Sequence, residues 1–180
     1  MVDNLVERIR QKDQRAMSQF YQMYVEELSS VCYRYVPSRS DAKDVLQNSF
    51  VKIFTLIPTI DYYSKEALWG WMKKVVVNES LNYLKERKKL LFVAQDMEYL
   101  PISDDEEPEV ERITADELHQ LISALPDGYR TVINLYAFEG YSHQKIAELL
   151  RIEESTSASQ LYYAKRLLAK KIKELMKKRR

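Results

Sequence analysis

The side chains in this chain that could do chemistry are grouped for recognition rather than reaction. Between Ser155 and Arg166, the groups Thr156, Ser159, Gln160, Tyr163, Lys165 and Arg166 fall on one side of a stretch with helical periodicity. Hydroxyls and an amide followed by cations suit base edges in a major groove and the phosphates beside it. A second stretch, Tyr62 to Lys89, interleaves Trp69 and Trp71 with Lys65, Lys73, Lys74, Asn78, Asn82, Lys85, Arg87, Lys88 and Lys89. Rings to stack on unpaired bases, cations for phosphates and amides for base edges are what a single nucleic-acid strand requires. A third polar set, Asp44, Gln47 and Asn48, alternates with apolar positions in Asp41 to Phe50 and suits docking of a protein partner. Each stretch also admits a plainer account: the outer face of an ordinary helical pair, or core tryptophans above a solvated helix end.

Reaction chemistry has little to work with. The two histidines, His119 and His143, share no metal-ligand spacing with the lone Cys32. No glycine loop could cradle a phosphate, and the densest carboxylates, Asp104 to Glu107, lie where no fold would preorganise them. No catalytic residue, metal, cofactor or small-molecule substrate is therefore expected. His143 reads as a surface residue following a helix cap, and Cys32 as core.

The elements that must position these groups are helices. Three glycines, abundant Leu, Lys, Glu and Tyr, and no sustained alternation predict an all-α protein. The amino-terminal part should form four helices. The first runs near Asp3 to Gln11 with Leu5, Val6 and Ile9 inward, and the second from about Asp13 to Tyr35 with Phe20, Tyr24, Leu28, Val31 and Cys32 inward. The third follows Ser40 as N-cap, and the fourth extends from Lys65 to about Leu90. A carboxy-terminal four-helix domain ends in a helix-turn-helix. There Ser142 caps a helix reaching Leu150, Arg151 to Glu154 turn, and Ser155 to Leu175 form a long helix with Leu161, Ala164, Leu168 and Ile172 inward.

Charge follows the same division. Net charge is +4 over residues 1–92, −9 over 93–117 and +6 over 118–180. Two basic blocks flanking an acidic connector suit phosphate contact at both ends. Domains are thus expected at 1–92 and 115–180, joined by a flexible acidic linker over 93–114 that carries Pro101 and Pro108. The linker is either simply solvated or an occupant of a basic channel in a partner. No apolar run could cross a bilayer, the amino terminus lacks a signal-peptide core, and a single cysteine fits a reducing cytoplasm, so a cytoplasmic protein without membrane insertion is expected.

Four segments in order carry a family resemblance: Asp41-Ala-Lys-Asp-Val-Leu-Gln-Asn-Ser-Phe50, Leu68-Trp-Gly-Trp-Met-Lys-Lys-Val-Val-Val-Asn78 with Asn82-Tyr-Leu84, Leu125-Pro-Asp-Gly-Tyr-Arg130, and Gly140-Tyr-Ser-His-Gln-Lys-Ile-Ala-Glu-Leu-Leu150. Over roughly residues 3–175 the chain resembles a bacterial RNA polymerase sigma factor of the extracytoplasmic-function group. The resemblance implies that Asp44, Gln47 and Asn48 face the clamp helices of the polymerase's largest subunit. It implies that the loop and helix from Asp61 to Lys89 open the promoter at its minus-ten element. Tyr62, Lys65, Trp71, Lys74, Asn78, Asn82, Lys85 and Lys88 would hold the single strand there, Asn78 lining a pocket for a flipped base and Trp71 sitting near the upstream edge of the bubble. The helix-turn-helix would read the minus-thirty-five element while docking on the flap of the second-largest subunit. The linker would run toward the RNA exit path. Core RNA polymerase, promoter DNA and an anti-sigma factor are the partners so implied.

Two departures from the family pattern matter. Many members begin the recognition helix with Gly, a β-branched residue and Lys or Arg, whereas this chain has Ser155 to Gln160, so base preference should differ. Arg151 stands at a frequent turn glycine, a replacement that is comfortable only if the backbone there avoids positive φ. Two other readings remain open: a sigma-like decoy that sequesters an anti-sigma factor, and a stand-alone helix-turn-helix regulator of duplex operators.

Overall fold

The computed structural model describes residues 2–87 and 113–179. Among them are eight α-helices and one 3-10 turn, with no strand: α1 Val2–Arg10, α2 Gln14–Tyr35, α3 Arg39–Leu56, the turn Ile57–Thr59, α4 Lys65–Glu86, α5 Ala115–Ser123, α6 Asp127–Ala137, α7 His143–Leu150 and α8 Glu154–Lys177. The chain divides into two compact units, one ending at Glu86 and the other beginning at Arg87. All but the last two residues of the expected linker 93–114, and the boundary at 92, lie outside the described residues. No helix of the described residues is long and apolar enough to cross a membrane.

In the first unit α2, α3 and α4 pack against one another and α1 lies along α2 and the 3-10 turn. Phe20, Leu28, Val31 and Cys32 are inside, as the apolar spacing of the sequence predicts, with Tyr24 half-buried, and Val45, Leu46, Phe50, Ile53, Leu68 and Met72 of α3 and α4 complete the core. Each large side chain so removed from water contributes about 2 kcal/mol. Asp13 begins α2: its Oδ1 accepts from the N–H groups of Arg15 (2.8 Å) and Ala16 (3.2 Å), and its Oδ2 receives Arg8 Nε at 2.8 Å. The Arg8 bond, then these backbone donors, hold the Asp13 carboxyl below its ordinary value. The cap of α3 is Ser38 and not Ser40. Ser38 has extended backbone (φ −67°, ψ 119°) and its Oγ accepts from Asp41 N–H at 3.5 Å, so the helix begins at Arg39 and Ser40 already lies inside its first turn. Cys32 is core, with Ser80 Oγ donating to its Sγ at 3.8 Å, and burial pushes the thiol up to about 11, where it is chemically quiet.

The second unit begins with a reciprocal cap. Thr114 N–H donates to Glu117 Oε2 at 3.0 Å while Glu117 N–H donates to Thr114 Oγ1 at 3.3 Å. Glu117 also pairs with Arg179 just beyond α8, so the first turn of α5 is tied to the far end of the longest helix. Arg130 is only 3% exposed. Its guanidinium donates to the carbonyls of Leu125 (2.7 Å) and Ser123 (3.4 Å) and pairs with Asp127, which fixes the α5–α6 corner in the Leu125–Arg130 motif. A buried cation is tolerated there because its donors have partners.

Candidate nucleic-acid interface

The helix-turn-helix forms where the spacing predicts it. Ser142 Oγ accepts from Lys145 N–H at 3.2 Å to begin α7. Arg151 then takes φ 57° and ψ 49°, the left-handed conformation, and Ile152 N–H donates back to Ala147 O at 3.1 Å. The condition under which Arg151 would be a comfortable replacement for glycine is therefore not met, and its Cβ costs about 1 kcal/mol. His143 is not a free surface residue. It is half-buried between the two helices, its Nδ1 shares a 2.9 Å hydrogen bond with Ser157 Oγ, and its ring stacks on Tyr136 with centroids 5.0 Å apart. Lys165 Nζ lies 5.8 Å from the centroid of that same tyrosine. A histidine thus acts as the joint that sets the first turn of α8 on α7.

Gln160 is a correction. Expected on the groove side, it is 4% exposed, because Ser157, Gln160, Leu161 and Ala164 follow the three- and four-residue spacing that packs α8 inward. Thr156 is half-buried; Ser159 is exposed, with its Oγ donating to Thr156 O at 3.0 Å. Tyr163 is exposed and its ring lies 6.3 Å from Tyr129. Lys165 is exposed, and Arg166 is half-buried. Sequence reasoning missed Tyr162, which is 54% exposed. Its hydroxyl accepts from Arg166 Nη1 at 3.0 Å and its ring lies 5.5 Å from the guanidinium carbon, an arrangement that aims the cation. An exposed aromatic four residues before an arginine was the available signal.

On α4, Trp71, Lys74, Asn78, Asn82 and Lys85 recur at three- and four-residue steps and so share one stripe. Trp71 is half-buried at its head, and the other four are exposed. Trp69 instead packs, stacking on Tyr24 with centroids 6.3 Å apart. Lys65 is exposed at the helix start, where Ser64 Oγ accepts from Ala67 N–H at 3.1 Å. Tyr62, half-buried, donates its hydroxyl to Asp3 Oδ1 at 2.9 Å; burial, then that carboxylate, push its phenol up to about 12. The neighbouring Tyr63, unremarked in the sequence, is 95% exposed. Lys88 lies outside the described residues.

Asp44, Gln47 and Asn48 are all exposed on α3, and Val51, one turn further and 62% exposed, completes their stripe with an apolar group. Beside it Tyr21 of α2 lies partly in solvent with its ring 4.6 Å from Phe50. The face is polar at one end and oily at the other, as a protein-docking surface requires.

Known proteins resemble this chain across both units. Residues 20–90 match the family model for sigma-70 region 2, and residues 115–168 match that for sigma-70 region 4. An ECF RNA polymerase sigma-E factor of Haemophilus influenzae is 30% identical over 96% of this chain and 95% of its own length. The RNA polymerase sigma-H factor of Pseudomonas aeruginosa is 27% identical over 96% of this chain and 94% of its own. The solved sigma factor RpoE of Bartonella quintana, in complex with the anti-sigma factor NepR, shares the fold at a TM-score of 0.51 and 16% identity, covering 87% of this chain and 96% of that one. With both sigma regions in order and relatives aligned nearly end to end, the chain belongs to the ECF family of RNA polymerase sigma factors.

Proposed function

We propose that this sigma factor divides promoter recognition between its two units, each through the outer stripe of one helix. The single observation that carries the reading is the stripe Trp71, Lys74, Asn78, Asn82 and Lys85 on α4: a ring, two amides and two cations on one side of a rigid helix. In that reading it grips the opened minus-ten strand, with Lys65 and the loop before α4 at its edge, and Asn78 holds an extruded base. Thr156, Ser159, Tyr163, Lys165 and Arg166, joined by Tyr162, face the minus-thirty-five duplex, while Gln160 serves the core. Asp44, Gln47 and Asn48, with Val51, dock on core RNA polymerase. The chain acts as an initiation factor inside the cell, where polymerase works, and does not itself catalyse RNA synthesis. An anti-sigma factor, the kind of partner seen with the Bartonella quintana protein, would hold it in reserve.

Two weak modules joined in one chain raise each other's effective concentration, so neither needs high affinity alone. Run-off transcription with purified core polymerase on a genomic promoter library tests the whole reading. Templates transcribed only when the protein is added support it; duplex binding without core would favour an operator regulator, and no effect on initiation would favour a decoy. Within that assay Asn78→Ala should reduce heparin-resistant complexes while leaving core affinity unchanged. Equal loss of both would remove Asn78 from the base pocket.

A further inference from the structure

The amino-terminal helix and the loop before α4 are fastened together at two points. Asp3 and Arg10 lie seven residues apart on α1, which puts them on one side of the helix about 10 Å apart along its axis. Asp3 Oδ1 accepts from Tyr62 OH at 2.9 Å, and Arg10 Nη2 donates to Ile60 O at 3.2 Å. The loop's other end is set by Ser64, whose Oγ caps the first turn of α4. The helix making these contacts is itself anchored. Val2, Leu5, Val6 and Ile9 are buried, and Arg8 holds Asp13, the cap of α2, through Nη2 at 2.7 Å. Between the fastened positions Tyr63 stands almost wholly in solvent. Both fastenings come from a helix fifty or more residues earlier in the chain. Moreover, α1 precedes residue 20, where the match to sigma-70 region 2 begins.

We infer that α1 is a positioning strap for promoter opening: Asp3 and Arg10 set the path of the loop from Ile60 to Ser64, so that Tyr63 and the start of the α4 stripe meet an unpaired nucleobase in a shape already formed. The inference rests on the proposed single-strand role of α4. Its physical basis is pre-organisation. A loop ordered during folding loses little further freedom when the strand arrives, whereas a loose one must be ordered at the moment of opening. Asp3 and Arg10 are positioning residues in this account, because they act through Tyr62 and the Ile60 carbonyl.

The test uses the full chain with core polymerase on a promoter that the wild-type protein opens, together with amide exchange of residues 60–64 in the free protein. Asp3→Ala and Arg10→Ala should each speed exchange in the loop and lower heparin-resistant open complexes about fivefold, the worth of one hydrogen bond, with core affinity unchanged. Asp3→Asn keeps an acceptor and should restore both readouts. Asp3→Ala combined with Tyr62→Phe should be no worse than either alone, since both cut one contact. Loop exchange that quickens while open complexes form as in wild type would overturn the strap and leave the sigma reading standing. So would losses that multiply in the double variant, or no rescue by Asp3→Asn. Failure of the wild-type protein to open any promoter would overturn the sigma reading, and the strap with it.

Discussion

Replacing His143 by Ala should loosen the helix-turn-helix without touching the first unit. The change removes the Nδ1 bond to Ser157 and the stacking on Tyr136. The aromatic contact is worth about 1 kcal/mol. Ser157 is fully buried, so its hydroxyl loses its partner, but it can turn to the carbonyl four residues back, as Ser29, Ser49 and Ser80 do, which limits that cost to about 1 kcal/mol. The sum, about 2 kcal/mol, lowers the melting temperature of a unit this size by roughly 10 °C. Both tryptophans lie in the first unit, so their fluorescence serves as an internal control while amide exchange in α6 to α8 reports the second. A cycle with Ser157→Ala isolates the pair and should return a coupling of about 1 kcal/mol. A coupling within about 0.3 kcal/mol of zero, or a tryptophan transition that moves as much as the exchange, would refute the joint.

Three further outcomes are expected. Replacing Lys165 and Arg166 together by Ala should flatten the logarithmic salt dependence of promoter binding by about 1.8, two phosphate contacts' worth, and an unchanged slope would take both off the phosphate backbone. Arg151→Gly should stabilise the second unit by up to about 1 kcal/mol in denaturant unfolding, since only the left-handed strain is relieved; destabilisation would mean the Arg151 side chain does more than occupy the turn. Tyr62 retains its proton up to about 12 in the folded chain but only to about 10 when unfolded. The stability tied to it is therefore intact below pH 10 and lost as pH rises toward 12. Tyr62→Phe should make the alkaline decline of the first unit shallower, and identical declines in the two proteins would refute the shift.

Features that depend on near neighbours were legible in the residues. Periodic apolar spacing located the starts of α1, α2, α3, α7 and α8 to within about two residues but ran α4 on to Leu90, whereas that helix ends at Glu86, and Ser142 announced its helix because a cap acts three residues ahead. Ser38 and Ser40 are chemically alike, and only the backbone angles choose between them: Ser38 is extended and Ser40 already helical. Gln160 shows the opposite failure: its polarity outweighed its spacing from Leu161 and Ala164, although the spacing decided its burial. Distance in sequence hid the rest. His143 meets a serine 14 residues on, and Tyr62 meets an aspartate 59 residues back; neither partner is implied by local pattern. The hydroxyls and cations of α8 and the stripe of α4 were readable as candidates because helical spacing alone aligns them.

The split along α8 has an evolutionary consequence. Ser157, Gln160, Leu161 and Ala164 carry the packing of the helix, while Ser155, Ala158, Ser159 and Tyr162 point away from it. Replacements at the outward positions spare the residues that pack the helix, so, with α8 reading the promoter as proposed, a duplicated copy of such a chain can acquire new start sites while it keeps its fold. Divergence of target is cheap in this architecture, and the sisters of one ancestor can part company at the DNA long before they differ in shape.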